Sequence, residues 1–132
     1  MAMGASLGWP DSPVFCVVGD GGFGHVWSEL ETARRHGIRV VVAVMNNAVL
    51  GYQKHAEDAA LGRHTSACDF LPVDHAAIAE ACGVKGIRVA RAEHIAGAIR
   101  EAMAADTAVL IDVLADPNAM PPVTAFTRLP HY

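Results

Sequence analysis

The chain has 132 residues, of which 52% are hydrophobic and 18% charged, as is typical of a single folded domain with a buried core. A formal charge of −4 without any basic run excludes the electrostatic signature of a nucleic-acid-binding protein. The longest apolar run, residues 40–45, is much shorter than the roughly 20 residues of a membrane span, so we expect no membrane partner either.

The cysteines Cys16, Cys68 and Cys82 form an odd set without the spacing of a metal-binding or redox pair. Such a set favours reduced thiols in a cytoplasm over a disulfide framework. We interpret all three as packing residues and expect a cytoplasmic location.

The first half of the chain predicts a strand, a helix and a second strand in succession. Residues 14–18 form a short apolar run that ends at Gly19, which indicates a buried strand. Helical spacing of apolar residues follows over 26–36 and ends at Gly37, and residues 38–45 are too β-branched and apolar for anything but a central strand. These elements form a βαβ unit, in which the two strands are parallel.

The second half continues the alternation after an irregular segment. Residues 48–73 mix glycine, histidine and aspartate with a short helical piece at 52–60, which indicates a functional loop region rather than core. The elements predicted after it are a helix at 74–83, a strand at 86–89, a helix at 92–105 and a strand at 108–114. Alternating strands and helices predict an α/β fold, a parallel sheet with helices on both faces. We assign residues 1–115 to this domain and residues 116–132, which hold most of the prolines, to a surface tail.

The glycine-rich motif Gly-Asp-Gly-Gly-Phe-Gly at residues 19–24 has two interpretations. It matches the Gly-x-Gly-x-x-Gly fingerprint of dinucleotide-binding folds. That fingerprint requires an acidic residue at the end of the second strand to hold the ribose, and this chain has Asn46 and Asn47 there. Asp20 would also face a pyrophosphate without a cation between them. The motif therefore favours a site for a metal ion with a diphosphate over a site for NAD.

Asp20 and the pair of asparagines follow the two strands of the βαβ unit. Because the carboxyl ends of parallel strands share one edge of the sheet, and neighbouring strands are about 5 Å apart, we expect these side chains to reach one ion. Carboxylate and amide oxygens are hard ligands that suit Mg²⁺ and leave its other positions to phosphate oxygens and water. Gly21 and Gly22 allow backbone N–H groups to approach the phosphates.

The two-part motif, Gly-Asp-Gly followed by Asn-Asn, resembles the signature of thiamine diphosphate enzymes. Residues 19–53 are similar throughout to the diphosphate-binding domain of the acetolactate synthase and benzoylformate decarboxylase group. This resemblance implies the thiamine diphosphate-binding fold, with thiamine diphosphate and Mg²⁺ as cofactors. It also implies that residues 1–10 are the end of a helix and that the domain is truncated at its N-terminus.

The resemblance assigns roles to individual residues. Asp20 and Asn47 would ligate Mg²⁺ through their side chains, and Val49 would ligate it through its backbone carbonyl. Asn46 would orient the turn rather than touch the metal. The residues that would bind the cofactor are Gly19, Gly21, Gly22, Leu50, Gly51 and Tyr52. Many relatives have serine where this chain has Gly22, so a backbone N–H must replace a hydroxyl contact there.

The resemblance also implies partners for the chain. In this family a glutamate that activates the cofactor comes from a pyrimidine-binding domain, usually on the partner subunit, and no residue here matches it. We therefore expect a fragment that is inactive alone, self-associates as a homo-oligomer and acts on a 2-oxo acid only within the larger enzyme. The implied reaction is decarboxylation with acyl-anion transfer, as in acetolactate synthases. A simple decarboxylase, a 2-hydroxyacyl-CoA lyase and a noncatalytic self-associating fragment are the alternatives.

Several other side chains have both a functional and a structural interpretation. His25 lies near the glycine motif, but we favour a polar residue in the first turn of a helix. Lys54 and His55 lie where relatives line the substrate channel, and a solvated helix face is at least as good an interpretation. Trp27 has the spacing of the apolar helix face, which indicates core packing. Asp74 is predicted to cap a helix.

Overall fold

A computed structural model describes residues 1–119 of the chain. Its elements, in chain order, are α1 (Ala2–Gly8), β1 (Phe15–Gly19), α2 (Asp20–Phe23), α3 (Glu29–Arg35), β2 (Val41–Asn46), α4 (Gly51–Leu61), α5 (His75–Ala81), β3 (Lys85–Val89), α6 (Ile95–Ala104) and β4 (Val109–Leu114). Short 3-10 helices lie at Ser66–Cys68 and Ala92–His94. The predicted tail, residues 116–132, lies mostly outside the described residues.

The chain divides into two compact units. The first comprises residues 1–46 and 74–114, and the second comprises residues 47–73 together with the described residues that follow 114. The first unit contains a four-stranded sheet in the order β1-β2-β4-β3, and every neighbouring pair is parallel. The predicted parallel α/β sheet is therefore confirmed.

Helices cover both faces of this sheet. One buried cluster joins β2 and β4 to α2, α3 and α5, through Val44, Leu110, Phe23, Leu30 and Ala79. The opposite cluster joins the same strands to α6, through Val41, Ala43, Val109, Ile111, Ala98 and Ala102. Successive residues of a strand point to opposite faces, so covering both faces requires strands that are almost continuously apolar. This explains why the apolar runs of β2 and β4 do not alternate with polar residues.

The segment after the glycine motif differs from the prediction. The helix expected over residues 26–36 is shorter, at α3, and the separate helical turn α2 precedes it. Because turns at residues 24–28 break the helical phase, Phe23 takes the buried position and Trp27 is 46% exposed. The prediction that Trp27 packs in the core is wrong. His25 is exposed in the same turns rather than in the first turn of a helix.

The other predicted elements of the first unit are present, with ends that differ by a few residues. The helix implied for the N-terminus is α1, which is tied to the sheet region by a hydrogen bond of 2.6 Å from the Ser6 hydroxyl to the carbonyl of Arg39. The cap of α5 is confirmed, because Oδ1 of Asp74 accepts a hydrogen bond from the backbone N–H of Ala77 at 2.9 Å.

The second unit is built around α4, which is longer than the helical piece predicted there. Gly62 ends this helix in the left-handed conformation, with φ of 71°, as is typical of a helix C-terminus. A short antiparallel contact closes the unit: the N–H of Leu50 donates to the carbonyl of Cys68, and the N–H of Phe70 donates to the carbonyl of Ala48, both at 2.8 Å.

None of the helices in the described part of the chain combines the length and the apolar character that crossing a membrane requires. The three cysteines are all free, with Cys68 buried and Cys16 and Cys82 half-buried.

Candidate functional site

The glycine motif places Asp20 at the carboxyl end of β1. The Asp20 side chain is only 7% exposed, and its Oδ1 accepts a hydrogen bond of 2.8 Å from the N–H of Gly21. The carbonyl of Asp20 accepts a second bond of 2.8 Å from the N–H of Gly24, which closes the α2 turn. A Cβ atom on Gly22 would lie 3.4 Å from Cγ2 of Val18, so a small side chain would fit there. The carboxylate is thus oriented by its own turn.

Asn46 occupies the equivalent position of the neighbouring strand. Gly19 of β1 is in register with Met45 of β2, so Asp20 and Asn46 are the next residues along the same edge of the sheet. Asn46 is 5% exposed, and its side-chain amide donates a hydrogen bond of 2.9 Å to Oδ1 of Asp112 in β4. The Asn46 side chain is therefore held by the adjacent strand.

The other predicted ligands belong to the second unit. Oδ1 of Asn47 accepts a hydrogen bond of 3.3 Å from the N–H of Val49, and Ala48 between them has a left-handed φ of 55°. A Cβ atom on Gly51 would lie 3.2 Å from Nδ2 of Asn47, so glycine leaves room for the asparagine side chain. Gly51 begins α4, and the remaining two predicted cofactor contacts flank it, namely the partly exposed Leu50 and the exposed Tyr52.

The chemistry of these groups suits a hard cation. Asp20 offers a carboxylate, Asn47 an amide oxygen and Val49 a backbone carbonyl, and Mg²⁺ prefers oxygen ligands of this kind. Within residues 1–119 no group of three or more His, Cys, Asp and Glu side chains is arranged to hold a metal ion.

A solvated helix face was one of the two interpretations of Lys54 and His55, and it is wrong. Both side chains are only 9% exposed. Lys54 donates hydrogen bonds of 3.1 Å to the carbonyl of Pro117 and 2.8 Å to Oδ1 of Asn118, and Nε2 of His55 lies 3.3 Å from the carbonyl of Ala119. These residues bind the end of the described chain within the second unit. Their place beside a substrate channel stays a prediction.

A second polar group in the same unit surrounds Glu57. Its carboxylate accepts hydrogen bonds of 2.7 Å from the side chain of Gln53 and from the N–H of Thr65, and these bonds lower the pKa of Glu57 to about 2. Sγ of Cys68 lies 3.7 Å from Oε2 of Glu57. Burial, followed by the Glu57 charge, raises the pKa of Cys68. Cys68 is therefore a protonated packing residue rather than a nucleophile.

His64 joins the end of α4 to the segment that follows it. Its Nδ1 lies 3.0 Å from Oδ1 of Asp58, and its Nε2 lies 3.5 Å from Oδ1 of Asp69. The hydrogen bond to Asp58 is the largest influence on the pKa of His64 and raises it. Burial opposes this effect, and the weaker effects of the Asp58 and Asp69 charges raise the pKa further. A raised pKa in the folded state means that the protonated imidazole stabilises this part of the chain.

We expect the stability supplied by His64 to fall as the pH rises. It is fully present below the pKa of an unfolded histidine, about 6.5, and is lost as the pH passes the higher pKa of the folded state. Titration of the His64 ring protons by NMR should give a midpoint above that of a model histidine. In the control Asp58→Asn the midpoint should fall, and an unchanged midpoint would contradict the assignment of the shift to this pair.

Asp112 and Arg88, which hold Asn46 and the start of α5, are not among the residues predicted from the sequence. The guanidinium of Arg88 lies 3.0 Å from Oδ2 of Asp112 and 3.0 Å from Oδ2 of Asp74. A sequence signal existed, because Asp112 is the single charge in the apolar run 108–114. A charge in such a run is buried in the sheet and requires partners.

Comparison with known proteins gives one consistent set of relatives. The family model described as "Thiamine pyrophosphate enzyme, C-terminal TPP binding domain" matches residues 1–113. An acetolactate synthase of Bacillus subtilis is 38% identical over 115 residues, which are 87% of this chain and 20% of that protein. The acetolactate synthase large subunit of Haemophilus influenzae is 36% identical over 118 residues, which are 87% of this chain and 20% of that protein.

A solved structure is similar in fold as well as in sequence. The thiamine diphosphate-dependent 4-hydroxybenzoylformate decarboxylase of Rhodococcus jostii RHA1 matches with a TM-score of 0.82 and 33% identity, over 87% of this chain and 22% of that chain. The chain spans about a fifth of the length of these relatives.

Proposed function

The chain belongs to the thiamine pyrophosphate enzymes, as their C-terminal cofactor-binding domain, and from this premise we propose that it binds the diphosphate end of thiamine pyrophosphate (thiamine diphosphate) through Mg²⁺. The observation that carries the proposal is the register of β1 and β2, in which buried Asp20 and Asn46 follow paired residues at one edge of the sheet. That edge is where open α/β sheets bind ligands.

We assign the cation to three oxygen donors. Asp20 and Asn47 ligate Mg²⁺ by their side chains and Val49 by its carbonyl, which leaves coordination positions for diphosphate oxygens and water. Support comes from the orientation of the Asp20 carboxylate by Gly21 and from the covalent link of Asn47 to the fixed Asn46. The residues assigned to the cofactor are Gly19, Gly21, Gly22, Leu50, Gly51 and Tyr52.

The activity that we propose belongs to the whole enzyme. When bound, thiamine diphosphate supplies the carbanion chemistry that decarboxylates 2-oxo acids, and this chain anchors and orients it. The acetolactate synthases among the relatives favour transfer of the resulting acyl anion to a second molecule. The structural match to a 4-hydroxybenzoylformate decarboxylase favours the second candidate, decarboxylation without transfer. A 2-hydroxyacyl-CoA lyase is the third.

The remaining parts of the enzyme lie outside this chain in the proposal. A pyrimidine-binding domain supplies the activating glutamate, and a homo-oligomer brings the domains together. The free cysteines suit a reducing compartment, so we place the enzyme in the cytoplasm.

Because the activating glutamate belongs to another domain in this proposal, the chain alone is expected to convert no pyruvate. Formation of acetolactate or acetaldehyde by the purified chain would contradict this assignment.

Calorimetry tests the cofactor site directly. Thiamine diphosphate is titrated into the purified chain with Mg²⁺, and again after EDTA has removed divalent cations. We expect saturable binding only with Mg²⁺, because two neighbouring phosphates need a cation beside the Asp20 carboxylate. Equal binding under both conditions would reject the cation-mediated site, and no binding at millimolar cofactor would favour the noncatalytic self-associating fragment.

A further inference from the structure

A charged residue interrupts the most buried strand of the first unit. Asp112 lies in β4 between Ile111 and Val113, and its side chain is completely buried. Transfer of a carboxylate out of water is unfavourable unless hydrogen bonds and an opposite charge compensate it. An apolar residue would fill this position without that cost, so the contacts made by the carboxylate require an explanation.

Donors from three other elements converge on Asp112. The Asn46 side chain, at the end of β2, donates to Oδ1 at 2.9 Å. Oδ2 accepts a hydrogen bond of 3.2 Å from the N–H of His75, the first residue of α5, and one of 3.0 Å from the guanidinium of Arg88 in β3. The carboxylate therefore joins β2, β3 and α5 to the strand in which it lies.

Arg88 extends these contacts to the cap of α5. Its guanidinium also lies 3.0 Å from Oδ2 of Asp74, whose Oδ1 accepts the bond from Ala77. The hydrogen bond from Ala77 and, after it, the charge of Arg88 hold the pKa of Asp74 below its usual range. The first turn of α5 is thus fixed both by the side chain of Asp74 and by the main chain of His75.

His75 carries the connection to the turn that holds Asp20. Its ring meets the ring of Phe23 edge to face, with 5.4 Å between the centroids and 84° between the planes. Both side chains are buried, and Phe23 is the last residue of α2, which begins at Asp20. Asp112 therefore contacts the Asn46 end of β2 directly and supports the Asp20 turn through two packed rings.

We propose that Asp112 is a positioning residue that sets the two turns from which the cation ligands extend. The inference rests on the proposed function, because that function is what gives these turns a cation to hold. A peptide bond joins Asn46 to Asn47, and Asp20 opens the turn that Phe23 closes. A shift in either contact of Asp112 moves the backbone of a ligand. Residues that orient metal ligands in this way commonly affect metal affinity by about 10- to 100-fold.

The test compares Asp112→Asn with a matched variant of the same strand. Ile111→Ala also damages a buried position of β4, but on the opposite face, against α6. Thiamine diphosphate binding is measured by calorimetry at a temperature at which circular dichroism shows both variants folded. We expect Asp112→Asn to lose about tenfold in affinity with Mg²⁺. Ile111→Ala should stay within about twofold, because the Ile111 side chain packs against α6, on the face of the sheet opposite the contacts of Asp112.

The choice of cation separates positioning from general damage. Mg²⁺ demands near-ideal octahedral geometry, whereas Ca²⁺ accepts variable geometry and longer bonds. Displaced ligands should therefore reduce binding supported by Mg²⁺ more than binding supported by Ca²⁺, and the ratio of the two affinities should change in Asp112→Asn alone. The same ratio in both variants would overturn the proposal.

NMR provides a readout that needs no cofactor. In Asp112→Asn the side-chain amide signals of Asn46 and the ring signals of Phe23 should shift, and the His75 amide should exchange faster. If Asp112→Asn does not fold, Asn46→Ala serves instead, since it removes one donor and leaves Arg88 and His75 in place. If the wild type binds and either folded variant keeps its Mg²⁺-supported affinity, the positioning role of Asp112 is rejected but the proposed function is not. Absence of binding by the wild type would reject the proposed function, and the positioning role with it.

Discussion

Replacement of Asp20 by alanine is expected to lower Mg²⁺-dependent affinity for thiamine diphosphate by about 100-fold or more, because Asp20 is the charged member of the three protein ligands proposed for the cation. The change also leaves the N–H of Gly21 without its carboxylate acceptor. Calorimetry in Mg²⁺ measures the loss. Residual binding of the variant should then be the same with Mg²⁺ and with EDTA, since the cation would no longer be held beside the diphosphate.

Glu31→Ala is the matched control for the loss of a negative charge in the same unit. Glu31 lies on α3, where its exposed carboxylate pairs with Arg35, four residues further on. Exposed pairs of this kind contribute little to stability. We expect wild-type affinity from Glu31→Ala. A similar loss in both variants would show that Asp20 acts through net charge rather than by coordination, and wild-type affinity in Asp20→Ala would reject it as a ligand.

The sheet could be predicted from the sequence mainly because β1, β2 and β4 are short, largely apolar runs bounded by glycine, proline or a polar turn. The runs that form β2 and β4 are largely apolar on both faces, which indicates helices on both sides of the sheet. The ends of elements were less accurate. The helix expected from residue 26 begins at Glu29, because the glycine motif forms its own helical turn.

Side-chain environments depended on contacts that spacing cannot reveal. Trp27 has the spacing of a buried helix face. The turn at Gly24 breaks the helical phase, however, so Phe23 before it is buried and Trp27 after it is exposed. Lys54 and His55 lie on a helix of mixed polarity, and their burial comes from residues 117–119, which are more than sixty positions away. The roles of the cation ligands come from the resemblance to thiamine diphosphate enzymes, and they stay predictions.

The hydrogen bonds of Asp112 show which contacts the sequence pattern cannot predict. A charge inside an apolar strand predicts a partner, but not which one. The partners come from β2, β3 and α5, so their identity depends on a strand order that places β4 between β2 and β3. Local periodicity supports the order of elements along the chain, whereas the order of strands across the sheet follows from packing of the whole unit.

Replacement of Gly86 by alanine is expected to destabilise the chain by about 3 kcal/mol, at the upper end of the cost of overpacking a core. Gly86 lies in β3 directly against α5. A Cβ atom there would approach the backbone of Ala76, including its carbonyl oxygen, closer than 3.0 Å. Backbone atoms cannot rotate away as a side chain can, so α5 must move off the sheet, which also strains the bond from the Gly86 N–H to Glu80. The midpoint of urea denaturation measures the loss.

Gly97→Ala is the matched control, because it adds the same methyl group where there is space for it. Gly97 lies within α6, and a Cβ atom there meets nothing within 4 Å. Alanine favours the helix over glycine, so this variant should gain about 0.5 to 1 kcal/mol in stability. Opposite shifts of the two midpoints would attribute the Gly86 effect to the contact with Ala76. A midpoint for Gly86→Ala equal to that of the wild type would mean that α5 and β3 do not pack at this distance, and the start of α5, with His75 and its bond to Asp112, would then lose its support.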